Sequence, residues 1–118
     1  FPLIIDFEES KVVNNPKEMN IDSSVYNLRN MVDYLQSQGK DVMIYSNRHC
    51  YEKYKIASNF PGVKLWVADY NAMFVTEDFP DCYIQQYACD GSVYGISADV
   101  DLNVIVDSKK IIKPEMQP

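Results

Sequence analysis

The 118-residue sequence has few of the residues that would indicate a metal-binding, disulfide-bonded or nucleic-acid-binding protein. Its three cysteines, Cys50, Cys82 and Cys89, form neither a C-x-x-C pair nor an even disulfide framework, so we expect buried or half-buried packing residues. The single histidine, His49, has no partner at zinc-like spacing. The net charge is −6 and no basic run is longer than Lys109-Lys110, which excludes the electrostatic pattern of a nucleic-acid-binding domain.

Long apolar runs are also absent from the sequence. No stretch approaches the roughly 20 residues of a transmembrane helix, and no basic segment precedes an apolar core as it does in a signal peptide. We therefore expect no membrane partner. Apolar residues nevertheless make up 47% of the chain, which is typical of a folded globular protein, and 118 residues fit one domain.

Five segments have the short, apolar and β-branched composition of strands. They are residues 2–8, 41–46, 63–70, 81–89 and 99–106. A tight turn is predicted at Asp90-Gly91, directly after the fourth of them.

Two helices are predicted, and both lie in the first half of the chain. An apolar stripe from Ile21 to Leu35 indicates an amphipathic helix that is capped by Asp22 or Ser23 and stops at Gly39. A shorter helix is predicted from Ser46 or Asn47 to about Ser58. The order strand, helix, strand, helix favours an α/β fold with parallel pairing, although three later strands without helices are unusual for a doubly wound sheet.

Asp6 and Glu8 are the first candidate functional residues. They share one face of a strand because side chains alternate, and their backbones lie roughly 6.5 Å apart. They also stand at the carboxyl end of a predicted parallel strand, where sites form in α/β folds. Repulsion between two such carboxylates raises the pKa of at least one, which can then act as a general acid.

A second pair of acids, Asp99 and Asp101, has the same spacing near the end of the chain. Four carboxylates on two strands fit either a hydrolytic site or a divalent-cation site with oxygen ligands, and solvated strand ends are the alternative interpretation. Several aromatic side chains fall near strand ends and fit either the core or a stacking platform for sugar rings. They are Tyr45, Trp66, Tyr70, Tyr83 and Tyr87.

Four segments in register carry a family resemblance. "PLIIDFE", "VMIYS", "KLWVADYN" and "YIQQYACDGSVYGISADVDLNV" resemble the C-terminal half of the glycoside hydrolase family 25 lysozymes, the Chalaropsis-type muramidases, from Phe1 to about Val106. The resemblance implies that residues 1–118 are a partial catalytic domain lacking the N-terminal strands, with 107–118 as a C-terminal tail. The implied fold is the C-terminal half, about five strands and two helices, of a modified TIM-like (β/α)5(β)3 barrel.

The same resemblance implies a peptidoglycan hydrolase, or muramidase, that needs no metal and no cofactor. It cleaves the β-1,4 bond between N-acetylmuramic acid and N-acetylglucosamine. By this likeness Glu8 is the general acid, Asp6 stabilises charge at the reacting sugar, and Asp101 lines the same cleft. Action on the cell wall implies a secreted or phage-delivered protein, although this chain shows no signal peptide.

Residues near the sugar-binding groove also follow from the resemblance. Trp66, Tyr70 and Gln86 match groove positions of the family, and Tyr45 joins them as a strand-end aromatic. Gln85 departs from the family, which usually has tryptophan there, and Asp99 has no counterpart.

The implied half-barrel has a consequence for partners. Half a barrel exposes strand edges and an apolar interior, so we expect an N-terminal half as partner, in the same polypeptide or as a separate chain.

Two alternatives to an enzyme remain. In the first, the fragment binds glycan or has a structural role without cleaving the substrate. A divalent-metal site on the four carboxylates is the other alternative.

Overall fold

The computed structural model describes residues 2–9, 20–70 and 79–106, and the predicted tail at 107–118 lies outside these residues. The described strands are β1 (Leu3–Asp6), β2 (Val42–Asn47), β3 (Lys64–Ala68), β4 (Cys82–Gly91) and β5 (Val100–Ile105). The described helices are α1 (Ile21–Ser37), α2 (Arg48–Lys53) and α3 (Ile56–Asn59). None of these helices is long and apolar enough to cross a membrane.

The five strands form one sheet in the order β1-β2-β3-β4-β5. The first four strands pair in parallel, and β5 runs antiparallel to β4. The mixed α/β class, the five strands and the parallel start of the sheet confirm the sequence predictions.

The main core lies between one face of the sheet and the helices. Ile5, Ile44 and Val67 from three neighbouring strands belong to it, together with Leu28 and Val32 of α1. Because alternate strand residues point to opposite faces, Asp6 and its neighbours in register lie on the other face of the sheet. Packing of the core on one face therefore supports the strands whose opposite face carries the candidate site.

The N-cap of helix α1 lies two residues before Asp22 and three before Ser23, the two predicted caps. Asn20 is its N-cap, and the Asn20 side chain accepts a hydrogen bond from the backbone N–H of Ser23 at 2.9 Å. The caps predicted at Asp22 and Ser23 are therefore wrong, since both residues lie inside the first turn. The predicted stop is confirmed, because the helix ends at Ser37 and Gly39 adopts a φ of +76°.

The second predicted helix is divided into α2 and α3. Asn47 caps α2 by accepting a hydrogen bond from the backbone N–H of Cys50 at 2.8 Å. This agrees with one of the two predicted starts of the helix, Ser46 or Asn47. Lys55 then takes a left-handed conformation, with φ of +50°, and interrupts the helix. Tyr54 and Ile56 are both buried, and two residues that are two apart cannot face the same side of a continuous helix. The break lets both side chains reach the core.

The predicted turn at Asp90-Gly91 is wrong. Both residues lie in β4, where Gly91 pairs with Val100, and the chain turns at Tyr94 and Gly95. A Cβ atom on Gly91 would lie 2.5 Å from Cγ of Leu102. This glycine therefore allows a close approach between two strands.

The three cysteines differ in their exposure. Cys50 and Cys82 are buried, as expected of packing residues, whereas Cys89 is exposed.

Candidate active site

An open cleft of about 430 Å³ lies over the face of the sheet opposite the main core. Six of the side chains predicted from the sequence line it: Asp6, Glu8, Tyr45, Trp66, Gln86 and Asp101. Ile4 and Asn103 complete the lining and were not predicted. Asn103 follows Asp101 by two residues on β5, so the strand period that groups Asp6 with Glu8 would also have found it.

Asp6 and Glu8 form the acidic part of the cleft. Asp6 is the last residue of β1, and Glu8 follows it on the same face. A side-chain hydrogen bond with Asp6 raises the pKa of Glu8, and partial burial and repulsion from the Asp6 charge act in the same direction. Glu8 is therefore suited to hold a proton and to deliver it within the cleft.

Two tyrosine hydroxyls meet at one amide oxygen. Tyr45 donates to Oε1 of Gln86 at 3.2 Å, and Tyr70 donates to the same oxygen at 2.6 Å. Gln86 is almost fully buried, and with its oxygen occupied by both phenols its remaining hydrogen-bonding capacity is its two N–H donors. Tyr70 thus joins the site through Gln86, although it does not line the cleft itself.

The charges of the cleft act on both phenols. Burial raises the pKa of Tyr45 to about 12, and the carboxylates of Glu8, Asp6 and Asp101 add to the effect. Burial also raises the pKa of Tyr70, followed by the effects of Cys89 and Asp101. Both hydroxyls therefore stay protonated and serve as hydrogen-bond donors at neutral pH.

Trp66 forms the aromatic wall of the cleft. Its indole Nε1 donates to Oδ1 of Asn103 at 2.8 Å, which links β3 to β5. Its ring meets the ring of Tyr45 edge to face, with centroids 5.0 Å apart. These contacts fix two aromatic side chains beside the acids, in an arrangement that suits the apolar faces of sugar rings.

Asp99 lies apart from this group. It is exposed in the segment directly before β5 and does not line the cleft, whereas Asp101 does. Among residues 2–9, 20–70 and 79–106, no three or more histidine, cysteine or acidic side chains are grouped so as to hold a metal ion. The predicted grouping of all four carboxylates as a cation site is therefore wrong for Asp99.

Asp69 is a buried acid that the sequence did not single out. It follows β3, and its carboxylate forms an ion pair with Arg48 of α2. Its backbone N–H donates to the carbonyl of Gln86, and its own carbonyl accepts a hydrogen bond from Nε2 of Gln85. Asp69 thereby fixes the segment that carries Tyr70. The only sequence signal was an acidic residue inside the apolar strand predicted at residues 63–70.

Comparisons with known proteins agree on one family. The sequence profile of the glycosyl hydrolases family 25 matches residues 1–96. The autolytic lysozyme of Clostridium acetobutylicum is 33% identical over 101 residues, which cover 80% of this chain and 30% of that protein.

Solved structures share the fold. A family 25 glycosyl hydrolase from Bacillus anthracis superimposes with a TM-score of 0.70 at 23% identity, over 93% of this chain and 52% of that one. A glycosyl hydrolase 25 of Streptococcus pneumoniae, described as a virulence factor in host cell invasion, gives 0.59 at 23% identity over 99% and 52%. The chain thus spans about a third of the curated relative and about half of each of these two structures.

Proposed function

The chain belongs to the glycosyl hydrolases family 25, and from this premise we propose that its cleft hydrolyses peptidoglycan. The bond cleaved is the β-1,4 linkage between N-acetylmuramic acid and N-acetylglucosamine. The observation that carries this proposal is the contact between Asp6 and Glu8, which raises the pKa of Glu8 at the edge of an aromatic cleft. The autolytic lysozyme of Clostridium acetobutylicum supports it by its name.

Glu8 is the general acid in the proposed reaction. Its carboxyl proton passes to the glycosidic oxygen, the bond from that oxygen to the anomeric carbon breaks, and the leaving sugar departs as an alcohol. Water supplies the hydroxyl group to the anomeric carbon, and the proton that it releases restores the carboxyl group of Glu8. Positive charge develops on the ring in the transition state, and the carboxylates of Asp6 and Asp101 stabilise it.

The remaining cleft residues bind the glycan. Trp66 and Tyr45 offer ring faces and edges to the sugars, and the N–H donors of Gln86 are available to hydroxyl or acetamido oxygens. Tyr70 supports Gln86 from outside the cleft. The reaction needs no metal or cofactor, since the proton comes from a side chain. We propose that the protein acts at the cell wall, outside the cytoplasm.

An N-terminal half of a modified (β/α)5(β)3 barrel is the proposed partner, in the same polypeptide or as a separate chain. Residues 1–118 would then be part of one catalytic domain. Three observations support this. In the described sheet, β1 and β5 each pair on one side only. Ile4 and Ile105 are exposed on these edge strands, and the chain spans about half of its structural relatives.

Replacing Glu8 by Gln tests the proposed reaction. Glu8→Gln keeps the size of the side chain but removes its acidic proton. The release of reducing ends from purified peptidoglycan should therefore fall by roughly 100-fold or more, and glycan binding should be retained. The assay uses the chain together with the N-terminal half. Asp99→Asn is the matched control, since it removes one carboxylate outside the cleft and should leave the rate unchanged.

Two results would contradict this proposal in different ways. Undiminished turnover by Glu8→Gln would remove Glu8 as the acid. Glycan binding by the unmodified protein without any release of reducing ends would instead favour the second candidate, a glycan-binding or structural module of the same fold. The aromatic cleft supports binding in either case.

A further inference from the structure

Glu9, the residue after the proposed acid, is held from the side opposite the cleft. Its Oε2 lies 3.1 Å from Nζ of Lys53, and its Oε1 lies 3.1 Å from Nε2 of His49. His49 and Lys53 are four residues apart on α2, so they share one face of that helix. Both carboxylate oxygens of Glu9 are thereby engaged by one short helix.

The electrostatics of this cluster keep Glu9 ionised. The hydrogen bond from Lys53 is the largest effect and lowers the pKa of Glu9. Burial acts in the opposite direction, and the Lys53 charge and His49 lower the pKa further. Glu8 and Glu9 are therefore neighbours whose pKa values move in opposite directions. Glu8 contacts Asp6 in the cleft, and Glu9 contacts Lys53 and His49 on α2.

Phe7 is fixed on the same side as Glu9. Its backbone N–H donates to the carbonyl of Tyr45 at 2.9 Å, and its carbonyl accepts a hydrogen bond from the Ser46 hydroxyl. Its ring packs edge to face on Tyr54, with centroids 5.1 Å apart. The residues before and after Glu8 thus both have attachments to β2 or to the helical segment that follows it.

We propose that the Glu9–Lys53 ion pair, assisted by His49, is a positioning device for Glu8. This inference rests on the proposed function, because it concerns the acid of that reaction. β1 ends at Asp6, so no strand pairing holds the backbone at Glu8. The ion pair anchors the chain one residue further on and keeps the Glu8 carboxyl within hydrogen-bonding distance of Asp6. A misplacement of about 1 Å can slow a reaction 100-fold, so such an anchor matters to catalysis.

The pKa of Glu8 reports this positioning independently of any enzyme activity. It is raised mainly by contact with Asp6, so a loosened Glu8 should titrate at lower pH. We expect Lys53→Met to lower the pKa of Glu8, measured by carboxyl 13C NMR titration of the chain with its N-terminal half, whereas the loss of a cation alone would raise it. We expect Glu9→Gln and Lys53→Met both to lower the rate of peptidoglycan hydrolysis about tenfold. Lys53→Arg keeps the cation and should retain the original pKa and rate.

Asp41→Asn is the matched control. Asp41 forms an ion pair with Lys64 at 2.9 Å before the start of β2, so this variant also converts a lysine-paired carboxylate to an amide. It should leave the pKa of Glu8 unchanged. If Lys53→Met does not lower that pKa beyond the effect of Asp41→Asn, the inference is overturned. A lowered pKa in a protein that never cleaves peptidoglycan would support the positioning and refute the proposed function.

Discussion

At the scale of single residues, Asp6 controls the protonation of Glu8 and so the pH dependence of the proposed reaction. The general acid must be protonated, and activity is lost as the pH rises through the pKa of Glu8. Asp6 raises that pKa by its hydrogen bond and its charge. Asn at position 6 carries no charge, and its N–H donors favour the ionised form of Glu8.

We therefore expect Asp6→Asn to move the alkaline limb of the activity profile to lower pH. The profile of kcat against pH for peptidoglycan hydrolysis measures this shift. Asp99→Asn, which lies outside the cleft, should leave the limb in place. An unmoved limb in Asp6→Asn would show that Asp6 does not control the protonation of Glu8.

The acids and aromatics of the cleft were predictable for two reasons. Side chains alternate between the two faces of a strand, and the carboxyl ends of parallel strands lie at the same edge of a sheet. Gln85 shows where such reasoning stops. It is fully buried on the core side of the sheet, where an apolar residue would be expected. Its amide donates to the carbonyl of Asp69, a contact between residues 16 apart in the chain. Strand periodicity predicts which face a residue occupies, but not which backbone atom a buried side chain will meet.

At the scale of elements, local patterns predicted α1 well and its first residue poorly. The apolar stripe from Ile21 to Leu35 gave the helix its extent, because burial of that stripe is its main source of stability. Several neighbouring polar side chains could cap the helix, so the pattern does not predict which one does. The Asn20 side-chain oxygen accepts the hydrogen bond from the backbone N–H of Ser23. No glycine or proline stands at Lys55, so the sequence did not predict the break in the helix there. The break follows instead from the burial of both Tyr54 and Ile56.

The N-cap of α1 gives the prediction at this scale. Asn20→Ala removes the side-chain acceptor from the first turn and should lower the free energy of unfolding by about 1 kcal/mol, measured by urea denaturation. Asn20→Ser keeps an acceptor and should retain most of the stability. Asn30→Ala makes the same substitution at an exposed position inside the helix, where alanine is the better helix former, so it should not destabilise. Equal effects of Asn20→Ala and Asn30→Ala would contradict the role of the cap.

At the scale of the whole molecule, the described sheet has buried central strands and two unpaired edge strands, β1 and β5. β2 and β3 have a neighbour on each side, and their core-facing residues Ile44, Leu65 and Val67 are fully buried. Ile4 on β1 and Ile105 on β5 lie on the opposite face and are exposed. A soluble monomer normally covers such edges, so the described sheet is suited to receive further strands.

Ile105 provides the test at this scale, since it is 65% exposed on the edge strand β5. If the N-terminal half packs against this face, Ile105→Lys places a charge in the new interior. The affinity between the two halves, measured by isothermal titration calorimetry, should then fall at least tenfold, which corresponds to about 1.4 kcal/mol. Met31→Lys is the control, because Met31 is 50% exposed on the helix α1 and not on an edge strand, and its variant should bind normally. Equal binding by both variants would mean that Ile105 of β5 does not contact the second half.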